Sequence, residues 1–158
     1  MATAKRATLL FGGSFNPIHN GHLIIARAVA EQLQAPRVIL IPSQFPPHKQ
    51  AAGLAPAADR LEMCRLAVEG EDLFEVSDWE LSQSGKNYTL LTVNHFRAER
   101  DDPNLAWLIG MDSLNDLPNW DEAGQLAARC TLVTAARPRF ARPDLRHLAA
   151  QVAPEDLE

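Results

Sequence analysis

Residues 8–23 read TLLFGGSFNPIHNGHL, and the order of residue types in this stretch decides the fold. Thr8 to Phe11 is an apolar run of strand length, and Gly12 and Gly13 end it. Gly21 and His22 then open a stretch to Leu33 in which Leu23, Ala26, Ala30 and Leu33 recur at three- and four-residue spacing, the period of an amphipathic helix. A strand that turns through glycines into a helix begins a β-α-β unit. The connecting loop then lies at the carboxyl edge of the sheet, where open α/β folds bind ligands.

Outward from this stretch the same alternation repeats. Strand-length apolar runs recur at Arg37 to Ile41, Leu73 to Val76, Leu105 to Ile109 and Thr131 to Thr134. Helical spacing lies between them: Ala57 to Val68 carries Leu61, Cys64 and Val68, and Thr89 to Glu99 carries Leu90, Val93 and Phe96. Asp59 and Arg60, in the helix over 57–68, read as surface residues. Pro42, Pro46 and Pro47 break the chain after the second strand, and Asp101 to Asn104 form a turn before the fourth. The Arg- and Pro-rich stretch 137–146 reads as a loop leading into a short helix over 145–152. The alternation predicts an α/β protein: a Rossmann-like open parallel sheet of about five strands with helices on both faces.

Composition narrows the function. A chain of 158 residues, 46% of them hydrophobic, suits a single domain with an ordinary core. The apolar run behind Lys5 and Arg6 is too short for a signal-peptide core or a membrane span, so a cytoplasmic protein without a membrane partner is expected. Cys64 and Cys130 have no metal-ligand spacing, and two reduced structural thiols are expected. A net charge of −5 argues against a surface built to wrap nucleic acid, which needs clustered Lys and Arg. It leaves room for phosphate esters held by local His, Lys and Arg near residues 19–49. Nothing here fixes the oligomeric state.

The loop has the chemistry of an anion site. Glycine lets the backbone approach a bulky anion, Ser14 offers a hydroxyl, and the amides opening a helix attract negative charge. His19 and His22, three apart across the loop-to-helix junction, can converge on one phosphate group. There is no Gly-Lys-Ser/Thr ending and no GxGxxG; two histidines stand where the lysine would. Taken alone, the two glycines also describe a strand-ending turn, and His19 a solvent-facing loop residue.

The full string GGSFNPIHNGH, Gly12 to His22, resembles the HxGH signature of the nucleotidyltransferase superfamily. Three further segments are similar to one branch, the nicotinate-nucleotide adenylyltransferases of bacterial NAD synthesis: IPSQFPPHK at 41–49, NYT at 87–89 and IGMDSLNDLPNW at 109–120. The resemblance runs from about Ala7 to Pro138. It implies transfer of the adenylyl group of ATP, with Mg²⁺, to nicotinate mononucleotide. It also implies roles for particular residues. His19 and His22 would be the catalytic donors. Gly12, Gly13, Ser14, Phe15, Gly21, Gly110, Asp112 and Arg137 would surround ATP, with Asp112 taking ribose hydroxyls or helping to order the metal. His48 and Lys49 would reach the phosphate of the pyridine nucleotide, Trp120 would stack on the nicotinate, and Thr89 with the amides near Asp121 would take its carboxylate. Read without the resemblance, Trp120 could be a packing residue, Asp112 a helix N-cap, and His48 and Lys49 solvated loop charges.

Two departures from the family are visible. Its chains continue into a helix opening with an Ile-Ser-x-Thr-like motif, which is absent from this sequence, so the single domain over 1–158 is expected to be C-terminally incomplete. Ala136 and Arg139 stand where Arg and Gly are frequent. The rival within the superfamily is phosphopantetheine adenylyltransferase, which shares HxGH but lacks the Pro-Pro-His loop and the Asp-to-Trp segment. The rival from another class is a non-catalytic nucleotide-binding protein.

Overall fold

Strand β1 (Thr8–Gly13) runs two residues further than its apolar core, through both glycines, because the ladder to its neighbour continues past them. Strand β2 (Val38–Pro42) pairs with it in parallel, with Leu10 opposite Ile39 and Gly13 opposite Pro42, and the Ser43 amide donates to the Gly13 carbonyl at 2.9 Å. Strand β3 (Phe74–Val76) pairs in parallel with the other edge of β2, Val38 opposite Phe74. Every residue of β2 is buried, which is why its sequence, VILIP, shows no alternation: a parallel strand covered on both faces has no polar side. Burying each of its large aliphatic side chains contributes about 1.5–3 kcal/mol.

The computed structural model describes residues 6–44, 53–85, 88–101, 104–110, 117 and 123–135. The chain divides into two compact units, Met1–Asn87 and Tyr88–Glu158. In the first, helix α1 (Asn20–Leu33) connects β1 to β2 and helix α2 (Ala57–Ala67) precedes β3, which is followed by a 3-10 turn at Glu80–Ser82. The buried stripe of α1 is Ala26, Val29 and Ala30; Leu23 and Leu33, expected on that face, lie half-buried at its margins. The helix ends with Gln34 in the left-handed region, φ 51°, and the Ala35 amide donates back to the Ala30 carbonyl at 2.8 Å. This closing turn satisfies carbonyls that the last turn leaves open, at a cost of about 1–2 kcal/mol for a residue with a Cβ there.

The second unit contains helix α3 (Thr89–Glu99), strand β4 (Leu105–Ile109), helix α4 (Ala123–Arg129) and strand β5 (Thr131–Thr134). Strand β4 is buried throughout and pairs in parallel with β5, Ala106 opposite Thr131. Leu90, Val93 and Phe96 are buried on α3 as their spacing predicts, with Thr92 beside them. Arg129 donates to Asn94 Oδ1 at 2.8 Å, and Arg97 donates to the Arg129 carbonyl at 3.1 Å, fastening the end of α4 to α3. Helix α4 has no counterpart in the sequence reading, because its seven residues are too few to display a period. The loop and helix expected over 137–152 lie outside the described residues. Within each unit the strands pair in parallel, β1 with β2 and β2 with β3 in the first and β4 with β5 in the second, interleaved with helices, so the Rossmann-like α/β class expected from the sequence holds. No helix among the described residues is long and apolar enough to cross a membrane.

Cys64 and Cys130 are both free and buried. Burial pushes each thiol up to about 12, against the smaller opposing pulls of Arg60 on Cys64 and Arg97 on Cys130. Both are therefore protonated and unreactive in the folded chain. Ellman's reagent at pH 8 is expected to leave the native protein unmodified and to titrate two thiols in guanidinium. The linkage has a definite sign. Because the folded thiols ionise above the unfolded value of about 8.5, their stabilising contribution is intact below that pH and is lost as pH climbs towards about 12. Rapid labelling of the native chain would contradict this packing.

Candidate active site

The loop after β1 is organised by its aromatic rings. Phe15 is 2% exposed and sits at φ 45°, a left-handed conformation that a bulky residue seldom takes and that packing must hold. Its ring meets Phe11 edge-on at 5.3 Å and His22 edge-on at 5.3 Å. His19 stacks on His22, its ring centroid 3.8 Å from that of His22 at an interplanar angle of 27°. The convergence expected of the two histidines is thus a stack, with Phe15 against His22.

Backbone geometry fixes the chemistry of His22. His19 is the N-cap of α1, with extended dihedrals, and its amide donates to Nδ1 of His22 at 3.1 Å. Nδ1 must therefore be the acceptor nitrogen of a neutral ring, which puts the proton on Nε2 and makes that atom a hydrogen-bond donor. The His22 amide in turn donates to the His19 carbonyl at 3.0 Å. Gly21 lies between them. A Cβ built there would come within 2.9 Å of Cε1 and Nδ1 of His19, closer than real side chains pack, so the His19 ring occupies the space that glycine leaves. Gly13 is less constrained, since a Cβ would meet Phe15 at an ordinary 3.5 Å.

Two polar side chains tie this loop to the rest of its unit. Asn16 donates from Nδ2 to the Gly53 carbonyl at 2.9 Å and accepts the Ala55 amide at 3.0 Å. Arg60, on α2, donates from Nε to the Ala55 carbonyl at 2.9 Å, and from one terminal nitrogen to the carbonyls of Ser14 at 2.8 Å and Ser43 at 2.7 Å. Arg60 is 0% exposed, which corrects its reading as a surface residue; Asp59 beside it is exposed. The physical reason is that Arg60 lies one turn before Cys64 on the inward stripe, where three carbonyls accept from Nε and one terminal nitrogen. An arginine on an otherwise apolar helical stripe was the signal available in the sequence. Burial lowers the guanidinium's pKa, partly opposed by Cys64, but an arginine so hydrogen-bonded stays charged at neutral pH.

Gly12, Gly13, Ser14, Phe15, His19, Gly21 and His22 are thus gathered in the first unit, at the carboxyl ends of β1 and β2. In the second unit, Thr89 opens α3, half-buried, and Gly110 directly follows β4, exposed. His48, Lys49, Asp112, Trp120, Asp121 and Arg137 lie outside the described residues. Among the described residues no three His, Cys, Asp or Glu side chains converge on a point where they could hold a metal.

A glycine-ended parallel strand and two stacked histidines at a helix start together make up the candidate site. The chain belongs to the cytidylyltransferase-like family, whose model matches residues 10–156. Within it, the similar curated relatives are named "Probable nicotinate-nucleotide adenylyltransferase". The one from Thermomicrobium roseum is 41% identical over 143 residues, 90% of this chain and 66% of the relative; the one from Clostridium tetani is 38% identical over 143 residues, 90% of this chain and 72% of the relative. The chain spans about two thirds of the length of these relatives. Among solved structures, Plasmodium falciparum nicotinic acid mononucleotide adenylyltransferase complexed with NaAD superimposes with a TM-score of 0.69 at 14% identity, covering 96% of this chain and 92% of that one. The same enzyme complexed with APC gives 0.72 at 18% identity, covering 90% and 69%. At such identities the likeness is one of fold.

Proposed function

We propose that the chain transfers the adenylyl group of ATP to nicotinate mononucleotide, giving nicotinate adenine dinucleotide and pyrophosphate. The observation that carries this reading is His22 held as a neutral Nε2 donor by the His19 amide, at the head of a glycine-ended strand; the names of the relatives near 40% identity supply the substrate. An oxygen of the mononucleotide phosphate attacks the α-phosphorus of ATP, and the bond to the bridging oxygen of the β-phosphate breaks, releasing pyrophosphate. A phosphate monoester is largely dianionic at neutral pH, its second pKa being about 6, so the nucleophile needs no protein base. His22, and His19 stacked on it, then act by donating to the oxygens of the transferred group, with positioning as the other main contribution.

Gly12, Gly13, Ser14, Phe15 and Gly21 are proposed to lie along the ATP phosphates, with Gly110, Asp112 and Arg137 as further ATP contacts. His48, Lys49, Thr89, Trp120 and Asp121 are proposed for the pyridine nucleotide. Mg²⁺ is proposed to arrive on the ATP phosphates; when bound it would supply positive charge to phosphate oxygens. A cytoplasmic setting, where ATP is available, follows from the same reading and fits two buried free thiols.

The test is pyrophosphate release by the purified chain with ATP and Mg²⁺, run with nicotinate mononucleotide, nicotinamide mononucleotide and phosphopantetheine in parallel. Release with the nicotinate substrate is the expected result. Release with phosphopantetheine alone would replace the reading, and silence with all three would reduce the chain to a binding protein.

A further inference from the structure

Arg60 is the one fully buried charged side chain among the described residues, and no carboxylate accompanies it there. Its partners are three backbone carbonyls, of Ser14, Ser43 and Ala55, and its second terminal nitrogen is buried with no hydrogen-bond partner. Burying an unpaired charge in this way is costly, so a role beyond packing is called for. Peptide geometry indicates one. In a trans peptide the N–H points opposite to the C=O, and the only cis bond among the described residues is Asn16–Pro17. When Arg60 draws the Ser14 carbonyl inward, it turns the Phe15 amide the other way; drawing in the Ser43 carbonyl does the same to the Gln44 amide. These two peptides follow the carboxyl ends of adjacent strands, β1 and β2.

We propose that Arg60 is a positioning residue for anion binding: it orients the Phe15 and Gln44 amides towards the ligand side of the loop and leaves a positive charge behind them that a bound anion compensates. This rests on the reading that residues 12–22 hold the phosphates of a nucleotide. Asn16 fastens the same loop to Gly53 and Ala55, but it is uncharged and supplies geometry alone. Oriented amides and a charge fixed before the ligand arrives cost nothing to reorganise when it binds.

The experiment measures inorganic pyrophosphate, ATP and adenosine binding by calorimetry, together with melting temperature, for the wild-type chain, Arg60→Met and Arg60→Lys. Arg60→Met keeps the volume and removes charge and donors; Arg60→Lys keeps the charge but cannot hold three carbonyls at once. Pyrophosphate affinity is expected to fall about tenfold or more in Arg60→Met, the scale of losing a charged hydrogen-bonding group, and less in Arg60→Lys, with adenosine binding unchanged in both. A merely structural arginine would lower the melting temperature and leave the affinity of the folded chain within twofold of wild type, which overturns the proposal. If Arg60→Met does not fold, Arg60→Lys decides by the same criterion. A wild-type chain that binds adenosine but neither pyrophosphate nor ATP would remove the phosphate-site reading itself, and this inference with it.

Discussion

Replacing His22 by alanine is expected to lower turnover by about a hundredfold or more, the scale of removing one preorganised donor from a transition state, while the chain remains folded. The size of the effect follows from how the ring is held. The His19 amide fixes Nδ1 at 3.1 Å, Phe15 stands edge-on at 5.3 Å and His19 stacks at 3.8 Å. The Nε2 donor therefore needs no reorganisation when charge develops on the phosphoryl oxygens. The same substitution removes the acceptor for the His19 amide at the start of α1, which costs about 1 kcal/mol of stability. His22→Asn separates the two effects: its side-chain oxygen can take over the capping bond, but the amide is too short to stand in for Nε2. Stability close to wild type with turnover still about a hundredfold down is expected for His22→Asn. Turnover within a few fold of wild type for the alanine variant would sink the assignment of His22 as donor.

Gly21→Ala is expected to change stability and activity in opposite directions. Alanine in the first turn of α1 is a better helix former than glycine by about 1 kcal/mol, so the helix itself gains. The new Cβ would lie 2.9 Å from Cε1 and Nδ1 of His19, and the ring, being the end of a side chain, can yield by rotating out of its stack on His22. Misplacing a group by about 1 Å at a site of this kind can cost up to a hundredfold, and a loss of tenfold or more in kcat at equal or higher melting temperature is the expected outcome. The measurement is a thermal melt beside steady-state kinetics on the same preparation. Wild-type kcat in Gly21→Ala would show that the position of His19 does not matter to the reaction.

Most of the fold was legible because its signals are local. The five apolar runs and the helices at Asn20–Leu33, Ala57–Ala67 and Thr89–Glu99 announce themselves by period and by the glycines and prolines that punctuate them. Helix α4 escaped because seven residues hold fewer than two turns. Within the site, the glycines and the two histidines could be named from their spacing and from the resemblance they carry, since loop and helix start are contiguous in the chain.

The sequence by itself determined that a strand ends in glycine before a histidine-flanked helix, hence the α/β class and the place of the loop between them. Tertiary structure alone decided the tautomer of His22, the stack with His19, and the burial of Arg60. The first two rest on how three neighbouring residues turn at the start of α1, whereas the burial of Arg60 depends on where separate segments meet: Arg60 reaches a carbonyl 46 residues away, and Asn16 one 37 residues away. Periodicity places a side chain on a face of its own helix. Which groups wait for it there, and whether they can take its charge out of water, is fixed only when the segments pack.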